Sequence, residues 1–193
     1  LCEGCASQVV LWPRQTGPAG PDCPDGIAKL HVLFEYGPGV AEILLAIKYG
    51  GRSELAHPIG RAMAAIAAVE ERAADTIVVP VPTTAPRFRS RGYNPAALLA
   101  STIAAQLGLP LASRLLRRTH DRGSMGGLGR DARRAQVAGS FVASPKVAGK
   151  EILLIDDVFT TGATLSECAR VLKASGALRV NAITAAGVSF ETD

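Results

Sequence analysis

A chain of 193 residues with 48% apolar residues can bury one sizeable core, which excludes wholesale disorder and leaves room for one domain plus a short appendage rather than two full domains. Aromatic residues make up only 5% of it, too few for a protein that holds nucleic acid mainly on an aromatic platform. The net charge of +4 hides an asymmetry: residues 114–134 carry seven Arg and two Asp, a local +5 against −1 for the remainder.

Residues 1–26 are rich in Gly, Pro and Cys with weak periodicity, and read as a small loop-built module. Cys2, Cys5 and Cys23 cluster there, a usage unlike a secreted disulfide scaffold and better suited to a metal. Cys168 stands alone in a helical pattern as a small core residue. Residues 28–36 alternate through Leu30, Val32, Phe34 and Tyr36 and predict a strand. Gly37, Pro38 and Gly39 break it before helices at 40–49 and 53–72. The β-branched run TIVVPV at 76–81 predicts a buried strand, followed by a helix at 94–107 with Pro95 at its first position.

Leu115 and Leu116 open a further strand. Glycines at 123, 126, 127 and 129 then predict a loop, a short helix at 130–137 and a strand at 140–142. KEILLID at 150–156 is the clearest strand of the chain; a helix follows at 163–175, closed by Gly176, and a last strand at 179–185. Alternating strands and helices predict an α/β protein with a doubly wound parallel sheet. The expected organisation is a module at 1–27 and a domain at 28–193, with a helical hood at 28–74 and a core at 75–193. The uncharged stretch 92–113 is interrupted by Asn94, Pro95, Gln106, Gly108 and Pro110, so no membrane insertion is expected. No secretory leader is read at the start, and the expected location is cytoplasmic.

The chemistry concentrates in ILLIDDVFTTGAT at 152–164, where a buried strand ends in two carboxylates and a hydroxyl-rich turn opens a helix. Backbone N–H groups from Thr160 to Thr164, that of Ala163 included, and the hydroxyls of Thr160, Thr161 and Thr164, with Gly162 allowing close approach, suit a monophosphate at a helix N-terminus. Asp156 and Asp157, at the carboxyl end of a strand, suit sugar hydroxyls and Mg²⁺. Pro82, Thr83 and Thr84, with Arg87 and Arg91 nearby, lie at the same sheet edge and can meet a second anionic group. The cations of the 118–134 segment, Arg118, His120, Arg122, Arg130, Arg133 and Arg134, suit a lid that closes over an anion; a surface loop without a closing role is the other reading.

The 152–164 run resembles the 5-phosphoribosyl 1-pyrophosphate (PRPP) signature of the type I phosphoribosyltransferases. VPVPTTAPRFRSRGYN at 79–94, IKYGGR at 47–52, the Cys-bearing start and RRTHDRGSMGGLGRDARRAQVAGSF resemble the ComF branch of that superfamily. The resemblance implies the type I phosphoribosyltransferase fold, a central parallel sheet flanked by helices. It also implies PRPP held by its 5′-phosphate at 160–164, its ribose at Asp156 and Asp157, and its pyrophosphate at 82–91. Mg²⁺ would accompany PRPP, and an unknown nitrogen acceptor would take the ribose 5-phosphate. A ComF protein is further expected to act in natural competence, as catalyst or as accessory, with a helicase-like partner and single-stranded DNA. Its N-terminal cysteines are expected to form a zinc ribbon. Cys2, Cys5 and Cys23 supply three ligands; the fourth is unknown, with Asp22, Asp25 and His31 as candidates and free thiols as the alternative.

Overall fold

The computed structural model describes residues 9–12, 23–69, 72–119 and 130–188. In chain order they form β1 (Leu30–Glu35), α1 (Pro38–Tyr49), a 3-10 turn (Ser53–Leu55), α2 (Ala56–Ala68), β2 (Ile77–Pro80), α3 (Ala85–Arg91) and α4 (Pro95–Leu107). There follow β3 (Leu116–Arg118), α5 (Arg130–Val137), β4 (Phe141–Ala143), β5 (Glu151–Phe159), α6 (Ala163–Ala174) and β6 (Arg179–Gly187).

Four of the strands make one parallel sheet in the order β1-β6-β5-β2. Successive strand residues point to opposite faces, and here both faces are covered. Ile152 and Leu154 pack on one side with Val180 and with Leu165, Cys168 and Leu172 of α6. Leu153 and Ile155 pack on the other with Ile183, Met63 of α2, and Leu99 and Ile103 of α4. Two-sided burial is why KEILLID reads as an unbroken apolar run rather than an alternating one. The approach of α2 to α4 is close: a Cβ on Gly60 would stand 2.7 Å from Cβ of Thr102.

The topology fixes where a ligand fits. Adjacent strands β2 and β5 send their chains to opposite faces, β2 toward α4 and β5 toward α6. In open α/β sheets such a switch point leaves a crevice beyond the carboxyl ends of the strands.

Three elements differ from the expectation. Residues 85–91 form a helix of their own: the hydroxyl of Thr84 accepts from the N–H of Arg87 at 3.4 Å, a proline sits in the first turn, and Gly92 closes it at φ 79°. β3 and β4 pair antiparallel in a separate two-stranded sheet. β5 runs three residues past its expected end at 156, because β6 continues beside it through the Phe159–Gly187 pair.

The segment read as a hood also contributes β1 to the central sheet, since its alternating apolar residues find a partner in β6. Residues 9–12 line the outer edge of β1: Trp12 N–H donates to the Leu33 carbonyl at 3.0 Å and Glu35 N–H to the Val10 carbonyl at 2.9 Å. Among the described residues no helix is long and apolar enough to cross a membrane.

Candidate functional site

A cleft of about 420 Å³ opens at the switch point. Strand alternation sends the two acids at its floor to different surroundings. Asp156 shares the α6 face, close enough to Cys168 and Arg118 for mutual electrostatic influence. Asp157 faces α1, where its Oδ1 lies 3.0 Å from Nζ of Lys48. The Asp157 N–H donates to Oδ1 of Asp156 at 2.9 Å and ties the pair together.

Burial, then the negative charge of Asp157, pushes the Asp156 carboxyl up to about 7, against the Asp157 N–H, Lys48 and Arg118, which favour the ionised form. A carboxyl raised in the folded state favours the fold when protonated. Its contribution should therefore be lost as pH rises from its ordinary 3.8 through about 7. Thermal unfolding between these pH values should show Asp156→Asn losing less stability with rising pH than the wild type does; parallel curves would refute the assignment.

The turn after β5 is shaped for close approach. Gly162 caps α6 in the left-handed region at φ 76°, and no side chain caps this helix N-terminus. A Cβ on Gly162 would stand 3.0 Å from Cγ of Pro24 and 3.2 Å from Cε2 of Phe159, so the turn rests on a packed floor. Thr160 and Thr164 line the cleft; Thr161, Gly162 and Ala163 complete the same turn.

Across the cleft, Pro82, Thr83, Arg87 and Arg91 line the wall, the two arginines one helical turn apart on α3. Arg91 lies over the Tyr49 ring, 4.5 Å from its centroid. Thr84 is turned inward as the α3 cap and is 2% exposed, so its hydroxyl serves the helix rather than the cleft. Asn94 steadies this wall: its Nδ2 donates to the Val81 carbonyl at 2.9 Å, and its Oδ1 accepts from the Ala96 N–H at 3.2 Å. The Tyr93 hydroxyl donates to the Ile47 carbonyl and joins α1 to the same wall.

The expected lid residues divide. Arg118 sits at the end of β3, lines the cleft and stacks over Phe141 at 5.3 Å. Arg130, Arg133 and Arg134 belong to α5, the short helix expected at 130–137. Arg134 points away from the cleft: its Nη2 is 3.3 Å from Oδ2 of Asp25, beside Ser166 and Arg170 on the outer side of α6. His120 and Arg122 lie outside the described residues.

Lys48, Tyr36, Tyr49 and Asn94 also line the cleft, beyond the residues expected from the sequence. Lys48 and Tyr49 lie in IKYGGR and Asn94 ends RGYN, so the quoted motifs contained the signal. Tyr36 enters only because β1 joins the sheet beside β6.

Cys2 and Cys5 lie outside the described residues, and among the described residues no three His, Cys, Asp or Glu side chains gather as a metal site. The Cys23 thiol lies 3.4 Å from the Ile27 carbonyl, on the α6 side of the sheet. His31 lies with Ala67 and Leu153 on the other side of the sheet from Cys23, and Asp25 is paired with Arg134.

Comparison with known proteins agrees with this geometry. The phosphoribosyl transferase domain family matches residues 94–189. The DNA utilization protein YhgH of Salmonella typhi is 27% identical over 93% of this chain and 87% of its own length. Competence protein F of Haemophilus influenzae is 31% identical over 51% of this chain and 44% of its own.

Solved structures are more distant. The glutamine PRPP amidotransferase of B. subtilis is 19% identical, covering 67% of this chain and 25% of its own, with a TM-score of 0.44. A hypoxanthine phosphoribosyltransferase of Staphylococcus aureus is 15% identical, covering 67% and 61%, with a TM-score of 0.41.

Family match, parallel sheet and strand-to-helix turn together define the class, a type I phosphoribosyltransferase fold. Within that class the chain belongs to the ComF family, with YhgH and Competence protein F among its relatives.

Proposed function

We propose that this protein binds PRPP in the cleft and transfers its ribose 5-phosphate to a nitrogen acceptor, releasing pyrophosphate. One observation carries the reading: an uncapped helix N-terminus and a pair of acids meet across the same cleft from a wall bearing Arg87 and Arg91. The 5′-phosphate would lie on the 160–164 turn, where backbone N–H groups and the Thr160 and Thr164 hydroxyls donate. Asp156 and Asp157 would accept from the ribose hydroxyls. Arg87, Arg91 and the backbone after β2 would take the pyrophosphate, with Arg118 close to the acids.

The acceptor nitrogen attacks C1 of the ribose, the bond from C1 to the pyrophosphate oxygen breaks, and its electron pair leaves with pyrophosphate. The cleft contributes orientation and positive charge where the leaving group gathers negative charge. Two carboxylates at one strand end are hard oxygen donors, which suits Mg²⁺; it would neutralise phosphate charge when bound with PRPP.

A second reading is favoured by the relatives' names, DNA utilization protein and Competence protein F. In it the protein is a PRPP-binding accessory of DNA uptake, acting beside a helicase-like partner and without turnover. We place either form in the cytoplasm and keep zinc at the N-terminal cysteines as part of the proposal.

A thermal-shift titration with PRPP and Mg²⁺ tests both readings. At about 100 times its dissociation constant the ligand adds about 2.7 kcal/mol, which for a chain of this size raises Tm by about 5–10 °C. An unmoved Tm at millimolar PRPP would refute both. Pyrophosphate release across a panel of nucleobases and amines then separates them: turnover with one acceptor supports the transferase, and binding without release supports the accessory.

A further inference from the structure

The C-terminal end of α1 reaches both sides of the cleft through three consecutive residues. The Ile47 carbonyl accepts from the Tyr93 hydroxyl, Lys48 pairs with Asp157, and the Tyr49 ring lies against Arg91. One helix end therefore touches the acid pair and the arginine wall together. Buried Ile47 holds the backbone in place, while the Lys48 side chain keeps 21% exposure and its flexible four-carbon stem lets the ammonium move without the helix. Its grip on Asp157 is a single contact, Nζ to Oδ1 at 3.0 Å, where an arginine fork could hold both carboxylate oxygens. Arg52, four residues on, is held by Glu54 and does not line the cleft.

Asp157 has two claims on it. The structure pairs it with Lys48, and the functional reading asks the same carboxylate to accept from ribose hydroxyls. At 17% exposure the carboxylate is partly desolvated and gains from a nearby positive charge. A pyrophosphate, however, carries several negative charges against the single one of Asp157, and it would enter a cleft that Lys48 lines with Arg87 and Arg91. The stronger anion takes the mobile cation. We propose that Lys48 is a positioning residue that exchanges partners: it neutralises Asp157 until the sugar phosphate arrives, then leaves the carboxylate to the ribose and turns to the pyrophosphate. The proposal rests on the PRPP reading and adds a residue that couples the two halves of the site, since ribose binding at Asp157 frees the charge that the leaving group needs.

Thermal shift with ribose 5-phosphate, inorganic pyrophosphate and PRPP, each at the same Mg²⁺ concentration, tests the exchange. Lys48→Met should bind pyrophosphate and PRPP about tenfold more weakly, the loss of one charge-assisted contact. Ribose 5-phosphate should bind it as well as the wild type or better, because the competitor for Asp157 is gone. Lys48→Gln, which keeps a polar head without the charge, should behave in the same way, and the Tm of each variant without ligand checks that it folds. Pyrophosphate should shift Asp157→Ala more than the wild type, because there Lys48 starts free, and the double variant with Lys48→Met should lose that gain. Equal weakening of all three ligands would make Lys48 a fixed source of charge, and unchanged shifts would make it a brace between α1 and β5. Either result, or a gain that survives in the double variant, would overturn the exchange and leave the PRPP reading standing. A wild type whose Tm PRPP does not move would overturn the PRPP reading, and the exchange with it.

Discussion

Asp157→Ala should fold and yet lose most of the stabilisation that PRPP with Mg²⁺ confers on the wild type. The Asp157 side chain is 17% exposed and its partner Lys48 21%, so the substitution frees an ammonium that water can reach and leaves no charge deeply stranded. The lost interaction is hydrogen bonding from ribose hydroxyls to a carboxylate, about 1.5–3 kcal/mol for a bond to a charged group, and thus about 10- to 100-fold in affinity. The sign is informative. Removing an acid from a cleft already lined by Lys48, Arg87, Arg91 and Arg118 makes it more positive, so a site that merely attracts anions would bind PRPP more tightly. Thermal shift with PRPP and with inorganic pyrophosphate in parallel decides between them. The account predicts a reduced PRPP shift with the pyrophosphate response retained or increased. An undiminished PRPP shift would remove the ribose role of Asp157.

Gly162→Ala should have the larger effect on stability. The left-handed φ of 76° costs an L-residue about 1–2 kcal/mol, and the added Cβ presses on Pro24 at 3.0 Å and on the Phe159 ring at 3.2 Å. Chemical denaturation should show a loss of about 2 kcal/mol, and the PRPP shift should fall with it as the turn is displaced. Gly108→Ala is the control. Its φ of 65° is also left-handed, but nothing lies within 4 Å of the added Cβ, so it should lose about 1 kcal/mol and keep the PRPP shift. Equal effects of the two substitutions on ligand binding would show that the Pro24 floor has no part in the site.

Much of this is legible in the sequence, for identifiable reasons. The strand 151–159 and the helix behind it could be read because burial on both sheet faces demands a continuous apolar run, and a positive-φ glycine before a helix leaves a distinct TTGAT pattern. Asp156 and Asp157 were legible as a pair. Their separation onto opposite faces, one toward Arg118 and one toward Lys48, depends on which elements pack where, and local sequence does not encode that.

Helix α3 was missed because seven residues carry too little periodicity, and its stability comes from the Thr84 cap and from Gly92. Lys48 and Tyr49 sit nearly thirty residues before β2 and reach the cleft only through the packing of α1. Arg134 looked like a lid cation by charge alone; its ion pair with Asp25 is a long-range contact that charge counting does not reveal.

The central claim is that the 160–164 turn holds a sugar phosphate whose ribose faces the acid pair. A crystal structure of the protein with PRPP and Mg²⁺ tests it most directly. The account predicts the 5′-phosphate within hydrogen-bonding distance of the Thr160 and Thr164 hydroxyls and the α6 N–H groups, with the ribose hydroxyls on Asp156 and Asp157. PRPP bound elsewhere, or lying in the cleft with its ribose turned away from both acids, would contradict it.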